Sequence, residues 1–139
     1  MQLALALIMS TLTGCGRFER EWKQATASEL PAGSIEGPWE GEWASVNGHT
    51  GRLRCILARS GDGEYRAQFH ATFWSFCQAE YAVTLHGEER DATAQLTGQE
   101  NLGWLAGGKY NYQAAIQPAD FNATYRSKYE NGEFRLKRP

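Results

Sequence analysis

The chain has 139 residues, enough for one domain with a sizeable core and little else. Its 14 Lys and Arg stand against 16 Asp and Glu, a net charge of −2, so neither a nucleic-acid partner nor an acidic interaction tail has electrostatic support. Aromatics at 12%, with 15 glycines and only 4 prolines, exclude a disordered chain and suit strands joined by tight turns.

The first element is a targeting segment. Leu3 to Leu12 is an apolar run broken only by Ser10 and Thr11, too short to cross a bilayer but the right length for the apolar region of a signal peptide. It ends in Leu12-Thr13-Gly14-Cys15. That tetrad resembles the bacterial lipobox, Leu-x-Gly/Ala-Cys. The resemblance implies removal of residues 1–14, diacylation of Cys15 and stable attachment to the cell envelope through its acyl chains. Gly16 follows the cysteine where Asp would signal inner-membrane retention, so the expected address is the outer membrane. Residues 15–36 then form a lipidated tether. "RFEREWKQATASEL" at 17–30 sets Phe18 and Trp22 on one face of one or two helical turns, and "PAGS" at 31–34 ends them. The segment reads chiefly as a spacer.

From Trp39 to the end the period is two, not 3.6. Trp39, Trp43 and Val46 open the first run, and "NGHTG" at 47–51 turns the chain. Leu53, Cys55 and Leu57 follow. "SGDG" at 60–63 precedes Tyr65, Ala67, Phe69, Ala71 and Phe73. After a bend centred near Phe76 come Ala79, Tyr81, Val83 and Leu85, then "GEERD" at 87–91. Ala92, Ala94 and Leu96 lead to a Gly-rich connection, "NLGWLAGGK" at 101–109. Tyr110, Tyr112, Ala114 and Ile116 precede "QPAD" at 117–120. Phe121, Ala123 and Tyr125 precede "ENG" at 130–132. Phe134, Leu136 and Arg138 close the pattern.

These are eight strands on hairpin-length loops, with no room for crossover helices, so the sheet is antiparallel. Each strand has one apolar face, and a flat meander would leave that face and two edges exposed. The expected fold of residues 37–139 is therefore all-β, an eight-stranded antiparallel up-and-down barrel. Closure pairs the first strand with the last. Outward Glu40 and Glu42 then meet outward Arg135 and Lys137, while Trp39 and Trp43 meet Phe134, Leu136 and the stem of Arg138 inside. Gly37-Pro38-Trp39 resembles the Gly-x-Trp of lipocalin-like barrels, in which a last-strand arginine packs on the tryptophan; Arg138 fits that role. The lipobox followed by Gly-x-Trp-x-Gly-x-Trp is also similar to bacterial lipoproteins.

Catalytic and metal sites find little support. His49 lies in a turn. His70 and His86 have outward parity, and a bend near Phe76 pairs them with Ala82 and Arg66, so no tetrahedral metal set forms. There is no Gly-x-Ser-x-Gly, no inward Ser, His and acid converge, and the Gly-rich loop lacks a phosphate-binding Lys-Ser. No cofactor is expected and the chain does not read as an enzyme. Two alternatives stay open for Cys55 and Cys77: a disulfide formed in an oxidising compartment, or a buried free thiol at Cys55, which has core parity. What remains is aromatic. Tyr65, Tyr81, Tyr110, Tyr112 and Tyr125 either line a pocket or fill the barrel, and Trp104 is a lid, a partner contact or a loop anchor. The expected function is a membrane-anchored, non-enzymatic binding module for an envelope protein partner; the alternative is a lipocalin-like carrier of a small apolar ligand held in the barrel.

Overall fold

A computed structural model describes residues 16–29, 33–73, 77–101, 108–128 and 130–139. The chain forms one short helix, α1 (residues 16–27), and then strands β1 (Gly37–Ser45), β2 (Thr50–Gly61), β3 (Glu64–Phe73), β4 (Cys77–His86), β5 (Glu89–Arg90), β6 (Thr93–Asn101), β7 (Lys109–Ile116), β8 (Asp120–Arg126) and β9 (Asn131–Lys137). Every pairing is antiparallel, in the order β4-β3-β2-β1-β9-β8-β7-β6-β5, and a β4–β6 pairing joins the two ends of that order. The result is a closed, eight-stranded up-and-down barrel, with β5 a two-residue addition to the start of β6.

The alternation predicted from the sequence sets the core. Leu53, Cys55 and Leu57 on β2, Ala94 and Leu96 on β6, and Phe134 and Leu136 on β9 are all buried, and the residues between them face outward. Because side chains alternate with period two, a slip of one residue would put every one of these in water. The β1–β9 ladder forms as the charges suggest. Glu40 lies opposite Lys137, Glu42 opposite Arg135 and Trp43 opposite Phe134. On the other side of β1, Glu40 faces Arg54 and Glu42 faces Arg52, so both acids are flanked by bases. Exposed pairs of this kind add little stability, but their pattern disfavours other registers. Gly41 lies between the two tryptophans, and a Cβ there would run into the Arg135 carbonyl of β9. Its absence lets the two strands coil closely.

The first and last strands pair as expected, over six residue pairs; the thinnest junction among the described strands is β4–β6, with two pairs, Leu85 with Gly98 and His86 with Thr97. Several expectations are corrected. The β3–β4 hairpin is two residues off the expected register. His70 faces Glu80 and His86 faces Glu64, in the register that sets Phe73 opposite Cys77. Val46 is not part of the first strand's inner face. It sits in the turn after Ser45, 73% exposed.

The stretch read chiefly as a spacer contains three turns of helix packed on the barrel wall. Phe18 is buried at 5% exposure and stacks on Trp22 at 6.1 Å and on the His70 ring at 5.1 Å. The Arg54 guanidinium lies 5.1 Å from the Phe18 ring and 5.2 Å from the Trp22 ring, and its two terminal nitrogens donate to the Glu19 carboxylate. His70, which points outward from β3, is therefore buried under the helix. Its ring bonds Gln78 through Nε2. No helix among the described residues is long and apolar enough to cross a membrane.

Candidate functional site

The two ends of the barrel are built differently. At the end where β1 begins, the tether itself supplies the plug. Ile35 is fully buried, and its carbonyl accepts a hydrogen bond from Trp39 Nε1 at 3.0 Å. The Arg138 guanidinium lies 3.9 Å from the centre of the Trp39 ring. Arg138 also donates to the Pro38 carbonyl at 3.0 Å and the Ser34 carbonyl at 2.9 Å. Opposite, Glu89 on β5 accepts from the Ile35 amide at 2.8 Å and from the Tyr65 hydroxyl at 3.1 Å. Burial and that bond to Glu89 push the Tyr65 phenol above its usual range. Tyr65 thus belongs to the closed end, apart from the tyrosines with which its parity grouped it.

Above this lock, the middle of the barrel is filled by rings. Trp39 meets Phe121 at 5.6 Å, Phe121 meets Phe134 at 5.9 Å, and Phe134 meets Phe69 at 5.4 Å. Edge-to-face and tilted contacts of this kind add to the stabilisation from burying the rings.

The other end, where β1, β3, β6 and β8 finish, gathers the remaining tyrosines. Tyr112 on β7 is directly opposite Tyr125 on β8. Tyr110 lies 6.2 Å from Tyr112 and 6.1 Å from Tyr125, and Tyr125 reaches Phe134 at 6.5 Å. Tyr81 on β4 stacks on Phe69 at 5.3 Å from the far wall. Trp43 completes the rim, tilted against Phe73 at 5.1 Å with its Nε1 donating to the Thr72 carbonyl at 3.2 Å. Burial raises the phenols of Tyr81, Tyr110, Tyr112 and Tyr125, and for Tyr81, Tyr112 and Tyr125 their mutual proximity adds to it. All four therefore stay protonated across the physiological range; Tyr110, Tyr112 and Tyr125 are buried and Tyr81 is half-buried, so they form a neutral, ring-packed layer just inside this end. Such a site suits recognition of an apolar body with a polar edge.

β4 and β6 part company at this same end. Beyond Gly98 their ladder stops, and the inward residues of β4 there, Ala79 and Tyr81, are only half-buried. At Gly98 the strands pass closely, since a Cβ there would meet the Thr84 carbonyl and the Leu85 side chain. That approach can be read only from packing.

Cys55 and Cys77 do not form a disulfide; both are free thiols. Cys55 lies across from Phe69 on β3, which lies across from Tyr81 on β4, and Cys77 is four residues further along that strand. Two strand spacings across and about 13 Å along exceed the roughly 7 Å between Cα atoms that a disulfide tolerates. Burial pushes the Cys55 thiol far above its ordinary range, whereas Cys77 is half-exposed. Among the described residues, no three His, Cys, Asp or Glu side chains are grouped to hold a metal ion. Cys15 and Trp104 lie outside the described residues. Comparison of the chain with protein-family models, curated proteins and solved structures finds no match.

The sequence did not anticipate Phe18, Ile35, His70 and Glu89 as parts of a working structure. The i, i+4 spacing of Phe18 and Trp22 and the apolar Ile35 four residues before Trp39 were the available signals.

Proposed function

We propose that this chain is a lipid-anchored envelope protein whose barrel is a non-enzymatic binding module, presenting its tyrosine-lined end to a protein partner. The observation that carries the reading is the contrast between the two ends. One is locked by Arg138, Trp39, Ile35 and Glu89; the other gathers four neutral phenols over a floor of Phe69 and Phe134. Aromatic groups with polar tips are the commonest anchors in protein interfaces. The contact of rings through the barrel's middle supports a surface site rather than a deep cavity. The anchor rests on Leu12 to Cys15, and outer-membrane delivery on Gly16.

A second reading is a lipocalin-like carrier of a small apolar ligand. The parting of β4 from β6, with Tyr81 half-buried beside it, favours that reading, as does the Gly-x-Trp and Arg138 arrangement. One titration separates the two. Intrinsic tryptophan fluorescence followed against an apolar probe should show no saturable quenching if the middle is filled. The partner reading then expects a protein to co-purify from detergent-solubilised membranes and to be lost when Tyr112 and Tyr125 are changed to Phe, which removes the hydroxyls and leaves the rings. Saturable quenching at one site per chain, abolished by Tyr112→Trp while the fold persists, would replace this reading with the carrier. Mass spectrometry of the mature N-terminus tests the anchor: unmodified Met1 would remove it.

A further inference from the structure

Helix α1 has two unlike sides. The inner side docks, with Phe18 on His70, Trp22 on Arg54, and Glu19 paired to Arg54. The outer side is cationic. At 100° per residue, Arg20 and Lys23 point away from Phe18, with Arg17 beside them. All three are exposed. The helix's two acids are paired, Glu19 with Arg54 and Glu21 with Arg17 at 3.2 Å, so the excess positive charge of the outer side rests on Arg20 and Lys23. The flanking wall is mixed: Arg52 on β2 and Arg66 on β3 are outward and exposed, and so are Glu42 opposite Arg52 and Glu80 opposite His70. The basic surplus is thus confined to the outer face of the helix, where Arg20 and Lys23 stand without a carboxylate between them. Gly16, which follows Cys15 in the sequence, opens the helix.

We propose that this side of the molecule is a membrane-contact surface. α1 lies along the bilayer with Arg17, Arg20 and Lys23 on anionic phospholipid headgroups, and the β2–β3 wall rests above it. The proposal rests on the lipid-anchor reading for its proximity to the membrane; the charge of the surface is independent of it. Each basic residue at an anionic bilayer strengthens association by roughly fivefold, and the attraction acts only within a Debye length, so the anchor and the helix face reinforce each other. A barrel lying on its wall keeps both ends clear of the lipid, so the tyrosine-lined end remains open to a partner in the aqueous phase.

The full lipid-anchored protein, placed in vesicles of phosphatidylcholine with and without phosphatidylglycerol, gives the test. Lysines are modified with a water-soluble amine reagent and quantified peptide by peptide. Lys23 should be modified several-fold more slowly in the anionic vesicles, recover at about 0.5 M salt, and lose its protection in Arg20→Glu. Lys109, on β7 across the barrel, should be unaffected in all of them. Equal modification of Lys23 in both vesicle types, with acylated Cys15 verified by mass, would overturn the proposal while leaving the anchor intact. So would equal protection of Lys109, which would mean an end-on pose. If Cys15 proves unacylated, the anchor reading fails on its own. The chain should then still sediment with anionic vesicles at low salt, weakened roughly 25-fold or more by Arg20→Glu with Lys23→Glu. Failure to sediment overturns the membrane surface as well.

Discussion

Arg138→Ala removes the side chain that ties the residue after β9 to the start of β1. Three contacts go at once: a guanidinium 3.9 Å from the Trp39 ring centre and two hydrogen bonds, of 3.0 and 2.9 Å, to the Pro38 and Ser34 carbonyls. A partly desolvated cation–π contact is worth about 1–2 kcal/mol. Hydrogen bonds to a charged donor contribute about 1.5–3 kcal/mol each when buried. Arg138 is only half-buried, and water can reach the freed carbonyls at the rim, so the bonds count for less. The expected loss is about 2–4 kcal/mol. For a domain of roughly 100 residues at about 4 °C per kcal/mol, the melting temperature should fall by about 8–16 °C. Arg138→Lys keeps the charge but neither the planar stack nor the fork that reaches two carbonyls, so it should recover less than half of the loss. Thermal denaturation followed by far-ultraviolet circular dichroism gives the numbers. A fall below about 2 °C in the alanine variant, or full recovery with lysine, would refute the claim that this arginine locks the closed end.

Two further outcomes follow from the described contacts. Cys55 should resist a thiol-reactive reagent in native buffer while Cys77 reacts, because burial both shields the first thiol and keeps it protonated; equal labelling would mean that the barrel opens at β2. The bond from Arg54 holds the Glu19 carboxyl below its usual range, so this pair's contribution to helix docking is present above the unfolded carboxyl's pKa, about 4.3, and is lost as pH falls through the lower folded value. Glu19 is exposed, so solvent screening keeps the effect under about 1 kcal/mol. It should be read as an acid-dependent change in Trp22 emission that is absent in Glu19→Gln; persistence of the change in that variant would assign it elsewhere.

The barrel wall was legible because its information is local. Parity along each strand depends only on neighbouring residues, and acid at Glu40 and Glu42 against base at Arg135 and Lys137 picked out the partners of β1. Features that depend on three-dimensional approach were not. Nothing in the pattern around Gly98 distinguishes a strand crossing from an ordinary glycine, so the two-pair β4–β6 junction escaped notice. His70 had the outward parity expected of it, yet α1 covers it, and a helix of 12 residues is too short to be argued from propensity alone. The separation of Tyr65 from the other tyrosines was recoverable. It opens β3, so counting hairpins places it at the end where β1 starts, the end that Ile35 and Glu89 close.

The stretch Gly37 to Trp43 gains its meaning from that same end-to-end count. Trp39 and Trp43 share one face of β1 and are separated by about 13 Å along it, so they serve opposite ends of the barrel. Trp39 is fully buried, caps its indole on Ile35 and receives Arg138; its surroundings are all committed within the chain. Trp43 packs on Phe73 and reaches Thr72, at the end where Tyr81, Tyr110, Tyr112 and Tyr125 gather. The contacts of Trp39 and those of Trp43 involve different residues, so a substitution at Trp43 removes none of the Trp39 lock's own contacts. The tether strengthens the arrangement. Ile35 sits only eight residues beyond the end of α1, so the helix on the outer wall and the plug in the closed end restrain the same short piece of chain. Tension applied at the N-terminal side of α1 would load the helix and its Arg54 clamp before any force reached Ile35, which places the barrel's stability behind a contact that can yield first.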